Sequence, residues 1–214
     1  MQHIDLNKLK PLAPHGLGTI AFETGTFLGK GTRFLAENFP RVITIELSEE
    51  LHREAKASFA GFTNIECHQG NSAEVLARIL PSHGPEQSAF FFLDAHWSGD
   101  QSVDWANSRW KGFRRDTAHL GASDRPTGPE QCPLLEELAV IAQAWPGEAY
   151  ILIDDTRNIP TEGGGKKDFA FIGEDWSHIS KQEVLDTAGS RLTEFHQLKS
   201  PEQYLLKLSR KSPQ

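Results

Sequence analysis

Residues 22–32 read Phe-Glu-Thr-Gly-Thr-Phe-Leu-Gly-Lys-Gly-Thr, and carboxylates at Glu46, Asp94, Asp154 and Asp155 each close an apolar run further along the chain. Glycines at 25, 29 and 31 permit a turn tight enough to bring backbone N–H groups and a helix N-terminus against a ligand, since no Cβ blocks the approach. Glu46 ends the run Val42-Ile-Thr-Ile. An acid at the tip of the second strand is where α/β folds hold a ribose. The pair reads as a site for a nucleoside-containing cofactor.

The glycine spacing sorts the chemistries that use such turns. A dinucleotide fingerprint needs glycines at relative positions one, three and six; here they fall at one, five and seven, which disfavours hydride transfer on NAD. A phosphate-cradling P-loop needs four residues between its glycines, then Lys and Ser or Thr. This chain has only Thr26, Phe27 and Leu28 there, and Gly31 separates Lys30 from Thr32. The run Phe90-Phe-Phe-Leu-Asp94 has the look of an ATPase acidic strand, so that reading ranks low without vanishing.

Two apolar runs end in acids, Asp94 and the pair Asp154-Asp155. In a doubly wound sheet the two strands are neighbours, and their tips converge at one edge. Three carboxylates in one pocket resist ionising together unless a cation neutralises them. An oxygen set of this kind suits Mg²⁺, with positions left for water or substrate. His96 stands beside the first of these acids and titrates near neutrality, which makes it the candidate general base; His119 and Lys30 come next. Plainer roles compete: strand-end aspartates cap turns, Asp-Asp-Thr-Arg-Asn is itself a turn sequence, and Ser72 is a sound helix cap.

The elements that must position these residues follow from periodicity. Strands are expected at 19–23, 42–47, 64–68, 89–94, 149–154, 191–198 and 203–208. The middle ones are near-continuous apolar runs, the pattern of strands buried on both faces of a parallel sheet. Helices fill the gaps: Ser48 caps 49–59, Ser72 caps 73–80, Pro133 starts 134–145, and Ser177 or Ser180 opens one that ends at Ala188 before Gly189. Only Lys199-Ser-Pro-Glu202 separates the last two strands, so the seventh runs antiparallel. The expectation is a single α/β domain over 1–214, a doubly wound, mostly parallel seven-stranded sheet of Rossmann-like type. Two long segments, 98–131 and 156–175, follow acid-tipped strands and are expected as lids over the substrate. The first carries Trp105, Trp110, Arg109, Arg114 and Arg115, and Trp97 precedes it; rings would stack on a sugar or aromatic group and guanidiniums would meet a carboxylate or phosphate.

Composition bounds the rest. With 22 basic and 29 acidic residues the net charge is −7, so no broad basic face advertises nucleic acid. Cys67 and Cys132 have neither metal-ligand spacing nor the density of a disulfide scaffold, and read as free thiols in a reducing compartment. No basic segment followed by an apolar one opens the chain, and no apolar run is membrane-long. The expectation is a cytoplasmic protein with a small-molecule substrate and no membrane or nucleic-acid partner, with homodimerisation left open.

Taken together, Glu23-x-Gly25-x-x-x-Gly29-x-Gly31, Glu46, Gly70-Asn-Ser-Ala-Glu74 and Phe92-Leu-Asp-Ala-His-Trp97 resemble, in order, the motifs of class I S-adenosylmethionine-dependent methyltransferases, over nearly the whole chain. The resemblance implies S-adenosylmethionine as cofactor, held by Glu23, Gly25, Thr26, Gly29, Gly31, Thr32, Glu46, Leu47, Asn71, Ser72 and Asp94. Within that group the acids resemble those of metal-dependent O-methyltransferases of the catechol and macrolide-sugar types. This implies Mg²⁺ on Asp94, Asp154 and Asp155, catalysis by His96 and Asp94, and transfer to a hydroxyl of a small polar molecule, a sugar among them. The metal would lower the hydroxyl pKa, and a base would add about 10²–10⁴-fold. One departure is plain: the catechol type places a lysine base after the tryptophan, and here Ser98 follows Trp97. Metal-independent transfer to nitrogen, protein or RNA, and a non-catalytic cofactor-binding module, remain as alternatives.

Overall fold

The computed structural model describes residues 4–96, 132–160, 176–199 and 202–212. The elements, in chain order, are α1 (Leu6–Leu9), β1 (Ile20–Thr24), α2 (Lys30–Asn38), β2 (Arg41–Glu46), α3 (Glu49–Ser58), β3 (Ile65–Gln69) and α4 (Ser72–Ile79). They continue with β4 (Ser88–Leu93), α5 (Leu134–Ala144), β5 (Glu148–Ile153), α6 (Lys181–Ala188), β6 (Leu192–Lys199) and β7 (Glu202–Leu208). The seven strands form one sheet in the order β3-β2-β1-β4-β5-β7-β6. β1 to β5 pair in parallel, and β7 is antiparallel to both neighbours.

The middle of the sheet is buried on both faces because β4 and β5 are apolar without a break from Ala89 to Leu93 and from Ala149 to Ile153. Phe22 and Phe91 stack at 4.8 Å on one face, with Trp145 edge-on to each at 5.7 Å, and α4, α5 and α6 cover them. Phe90 and Phe92 point the other way, against Leu35, Val42, Tyr150 and Leu205. Each ring so buried contributes roughly 1.5–3 kcal/mol, which fixes register as well as stability. Register in turn aligns the strand tips: Thr24 pairs with Leu93 and Leu93 with Ile153, so the residues that follow all emerge at one edge. Connections after β1 and β4 leave in opposite directions along the sheet, and ligands of such folds bind in the crevice that opens there.

Strand boundaries fall within one residue of those expected, but two local expectations change. The cap of α4 is Asn71, whose side chain accepts from the Glu74 N–H at 3.2 Å; Ser72 is the first residue of the helix. Ser180, not Ser177, caps α6, accepting from Glu183 N–H at 3.1 Å. Ser48 caps α3 as expected. The segment 98–131 and residues 161–175 of the second long segment lie outside the described residues; residues 156–158 form a single 3₁₀ turn. Cys132 is buried and Cys67 half-buried, and no disulfide joins them. Among the described residues no helix is long and apolar enough to cross a membrane.

Candidate active site

β1 delivers the glycine turn. Gly25 has φ +82°, and a Cβ there would stand 2.7 Å from the Asp94 carbonyl oxygen, so the turn and the tip of β4 touch. Gly29 has φ +69°, and a Cβ on it would collide with the Phe59 ring; one on Gly31 would collide with the Glu23 carboxylate. Phe27 adopts a left-handed φ of 47° without being glycine. Its N–H donates to Glu46 Oε2 at 2.8 Å, and Glu46 Oε1 accepts from the Ser48 N–H at 3.0 Å. Glu46 is buried, and burial raises its pKa against those hydrogen bonds. The predicted ribose acid thus braces the glycine turn against the start of α3. Leu47, beside it, is 65% exposed, an apolar side chain left open at the strand tip.

Glu23 is not surface chemistry. Thr32 Oγ1 donates to its Oε2 at 2.5 Å and Thr44 Oγ1 to the same atom at 2.8 Å, while Thr26 Oγ1 lies 2.6 Å from that of Thr44. Burial pushes the Glu23 pKa to about 8 despite these donors. Thr26 and Thr32, expected on the cofactor, here turn their hydroxyls inward as supports of Glu23.

At the tips of β4 and β5 the chain gathers a second cluster. His96 Nε2 lies 3.2 Å from Asp155 Oδ2 and 3.6 Å from Asp94 Oδ1. Asp94, His96 and Asp155 each offer a ligand atom, all within 4.8 Å of one another. Asp155 reaches this position with a left-handed φ of 50°, and Arg157 holds its Oδ1 at 2.7 Å. The Trp176 ring lies against His96 at 5.3 Å. Asp154, expected as a third oxygen ligand, is drawn aside: its Oδ1 accepts from Gln203 Nε2 and from the Asp155 N–H, each at 2.9 Å. Burial alone would lower the His96 pKa, but hydrogen bonds to Asp155 and Asp94 raise it to about 10. An imidazolium so held cannot take a proton at neutral pH. A metal ion displacing that proton would leave His96 a ligand, with two carboxylates beside it.

One functional candidate escaped sequence reasoning. Glu137 on α5 is buried, and burial pushes its pKa up to about 7 although the nearby Ser72 and Thr24 side chains pull it down. It falls on the apolar stripe Leu134, Leu138, Ile141, and an acid in such a stripe is the signal that could have found it. His119 and Trp97 lie outside the described residues, and Lys30 is exposed at the start of α2.

No protein-family model and no curated protein sequence matches the chain. Solved structures do. The O-methyltransferase TomG of Streptomyces achromogenes, involved in tomaymycin synthesis and solved with S-adenosylmethionine, is similar over 97% of this chain and 82% of its own, at 16% identity and a TM-score of 0.51. An O-methyltransferase of Bacillus cereus solved with S-adenosylhomocysteine is similar over the same shares, at 15% identity and a TM-score of 0.50. At these identities the likeness is one of fold, and this chain has the Rossmann-like fold of class I methyltransferases.

Proposed function

We propose that the chain is an S-adenosylmethionine-dependent O-methyltransferase whose acceptor is a hydroxyl of a small polar molecule, sugars included, bound beside a divalent cation. The observation that carries the reading is the contact between Gly25 and Asp94: it joins a nucleoside-type turn to the Asp94, His96, Asp155 cluster at one sheet edge. The donor set fits a cation, because two carboxylates and an imidazole offer charge and lone pairs to one point. The two carboxylates serve Mg²⁺, and the imidazole makes Mn²⁺ the better match. A bound cation would orient and acidify the acceptor hydroxyl, while the cofactor brings the methyl group. The chain's own part is to align the two. The glycine turn and Glu46 set the nucleoside, Asp94 stands at the junction, and Arg157 fixes Asp155.

Calorimetry on the full chain tests both halves. S-adenosylmethionine should bind with micromolar affinity, and Asp155→Ala should abolish Mn²⁺ binding while leaving cofactor affinity within about threefold. A folded chain that binds no S-adenosylmethionine defeats the reading. Cofactor binding with neither Mn²⁺ nor Mg²⁺ binding leaves the metal-independent alternative in its place.

A further inference from the structure

On the face of the sheet that carries Tyr150, Leu152 and Leu205, β5 pairs with β7 as Tyr150 with Lys207 and Leu152 with Leu205. Side chains on one face recur every second residue, so Asp154 and Gln203 come next on it. Gln203 is 1% exposed and Asp154 2%. An aliphatic pair would simply extend the apolar face, whereas a buried amide and a buried carboxylate are tolerated where they bond. They bond to each other: Gln203 Nε2 donates to Asp154 Oδ1 at 2.9 Å.

The same oxygen, Asp154 Oδ1, accepts the Asp155 N–H at 2.9 Å. The Asp154 N–H donates to the Leu93 carbonyl at 3.1 Å, which ties the residue to the tip of β4. Asp154 is thus gripped from three strands, its own β5 and the flanking β4 and β7, and it passes that grip to the backbone of Asp155. What it holds is strained: Asp155 stands at φ 50° and ψ 31°. A residue other than glycine keeps a left-handed backbone where its surroundings over-determine it. From that backbone the Asp155 carboxylate reaches His96 Nε2 at 3.2 Å through Oδ2 and Arg157 at 2.7 Å through Oδ1. The side chains whose ligand atoms gather within 4.8 Å are Asp94, His96 and Asp155, while Asp154 Oδ1 carries its two donors.

We propose that Gln203 is a positioning residue for the cation site: through Asp154 it fixes the left-handed backbone of Asp155, so that Asp154 is a bracket and Asp155 a ligand. This rests on the cation half of the reading above, and it gives two adjacent aspartates different jobs. Metal ligands are oriented by hydrogen-bonded partners outside them, and loss of such a partner costs about 10–100-fold in metal affinity. Gln203 acts one residue further out, through the peptide that aims the ligand. An amide suits the role, because it donates to a carboxylate without bringing a second positive charge toward a cation.

Calorimetry of the full chain with Mn²⁺ tests this, with S-adenosylmethionine titrated in parallel and circular dichroism to verify folding. Gln203→Leu, close in size but unable to donate, should weaken Mn²⁺ binding about tenfold or more and leave S-adenosylmethionine affinity within about threefold of wild type. Asp154→Asn keeps an Oδ1 acceptor for both donors and loses only the charge, so its Mn²⁺ affinity should stay within about threefold of wild type. Asp155→Asn, which takes the charge from the ligand itself, should lose Mn²⁺ binding. Wild-type Mn²⁺ affinity in a folded Gln203→Leu makes the amide a structural filler and overturns the proposal. So does a loss in Asp154→Asn as deep as that in Asp155→Asn, since Asp154 would then be a ligand; this comparison decides the matter even where Gln203→Leu does not fold. A wild-type chain that binds S-adenosylmethionine but neither Mn²⁺ nor Mg²⁺ removes the cation reading, and this proposal with it.

Discussion

Gly25 shows how much of this site hangs on a missing side chain. Its φ of +82° costs an L residue about 1–2 kcal/mol, and its would-be Cβ meets the Asp94 carbonyl. Gly16 has a similar φ of +87° with nothing within 4 Å. Gly25→Ala should therefore cost more than Gly16→Ala in thermal melts, and only Gly25→Ala should abolish cofactor binding by calorimetry. If both variants bind the cofactor like wild type, the turn does not face a ligand. The glycine turn and the strand-end positions of Glu46, Asp94 and Asp155 were legible in the sequence, because spacing and periodicity set them. His96 was legible as chemistry but not as the partner of Asp155, because that contact depends on a left-handed φ at Asp155 that no propensity foretells. Asp154 looked equivalent to its neighbour; only the pairing of Ile153 with Tyr204 brings Gln203 alongside to claim it.

At the level of elements, strands were readable almost to the residue, β4 and β5 most directly because burial on both faces leaves a continuous apolar run. Helix starts were less so. Asn71 and Ser72 are both good cap types, and the choice between them is made by packing: Ser72 is buried against Glu137, while Asn71 keeps its side chain free to accept from Glu74. Two caps separate stability from function. Ser180→Ala on α6 and Asn71→Ala on α4 each remove one accepted hydrogen bond, and each should lower stability by about 1 kcal/mol in denaturant melts. Only Asn71→Ala should also weaken S-adenosylhomocysteine binding, by several-fold, because α4 opens into the cofactor crevice. Equal effects of the two on binding would detach α4 from the site.

Across the whole molecule, the acids that build the crevice are held in the fold against their preference for water. Glu23 keeps its proton to about pH 8 and Glu137 to about pH 7, both because of burial, whereas in the unfolded chain each releases it near the ordinary 4.5. Between those limits the native state binds more protons than the unfolded state, so stability falls as pH rises. His96 acts in the same direction: held protonated to about pH 10 by Asp155 and Asp94 against an ordinary 6.5, it adds stability that is lost as pH climbs through that interval. The exposed acids with lowered pKa, Glu66 and Glu194, change only below the ordinary carboxylate range and do not oppose this slope. The ligand-free chain should therefore melt several degrees lower at pH 8.5 than at pH 5.5. Glu23→Gln, which cannot ionise and keeps an acceptor for Thr32 and Thr44, should flatten much of that slope when melting is followed by circular dichroism across the interval. A wild-type melting temperature that rises from pH 5.5 to 8.5 would mean that these carboxyls ionise in the fold as they do in water. The same slope gives the site a use for its ligands. A cationic cofactor and a divalent ion each favour the ionised acids, so both should raise the melting temperature more at pH 8 than at pH 5.5, where protons already do part of their work.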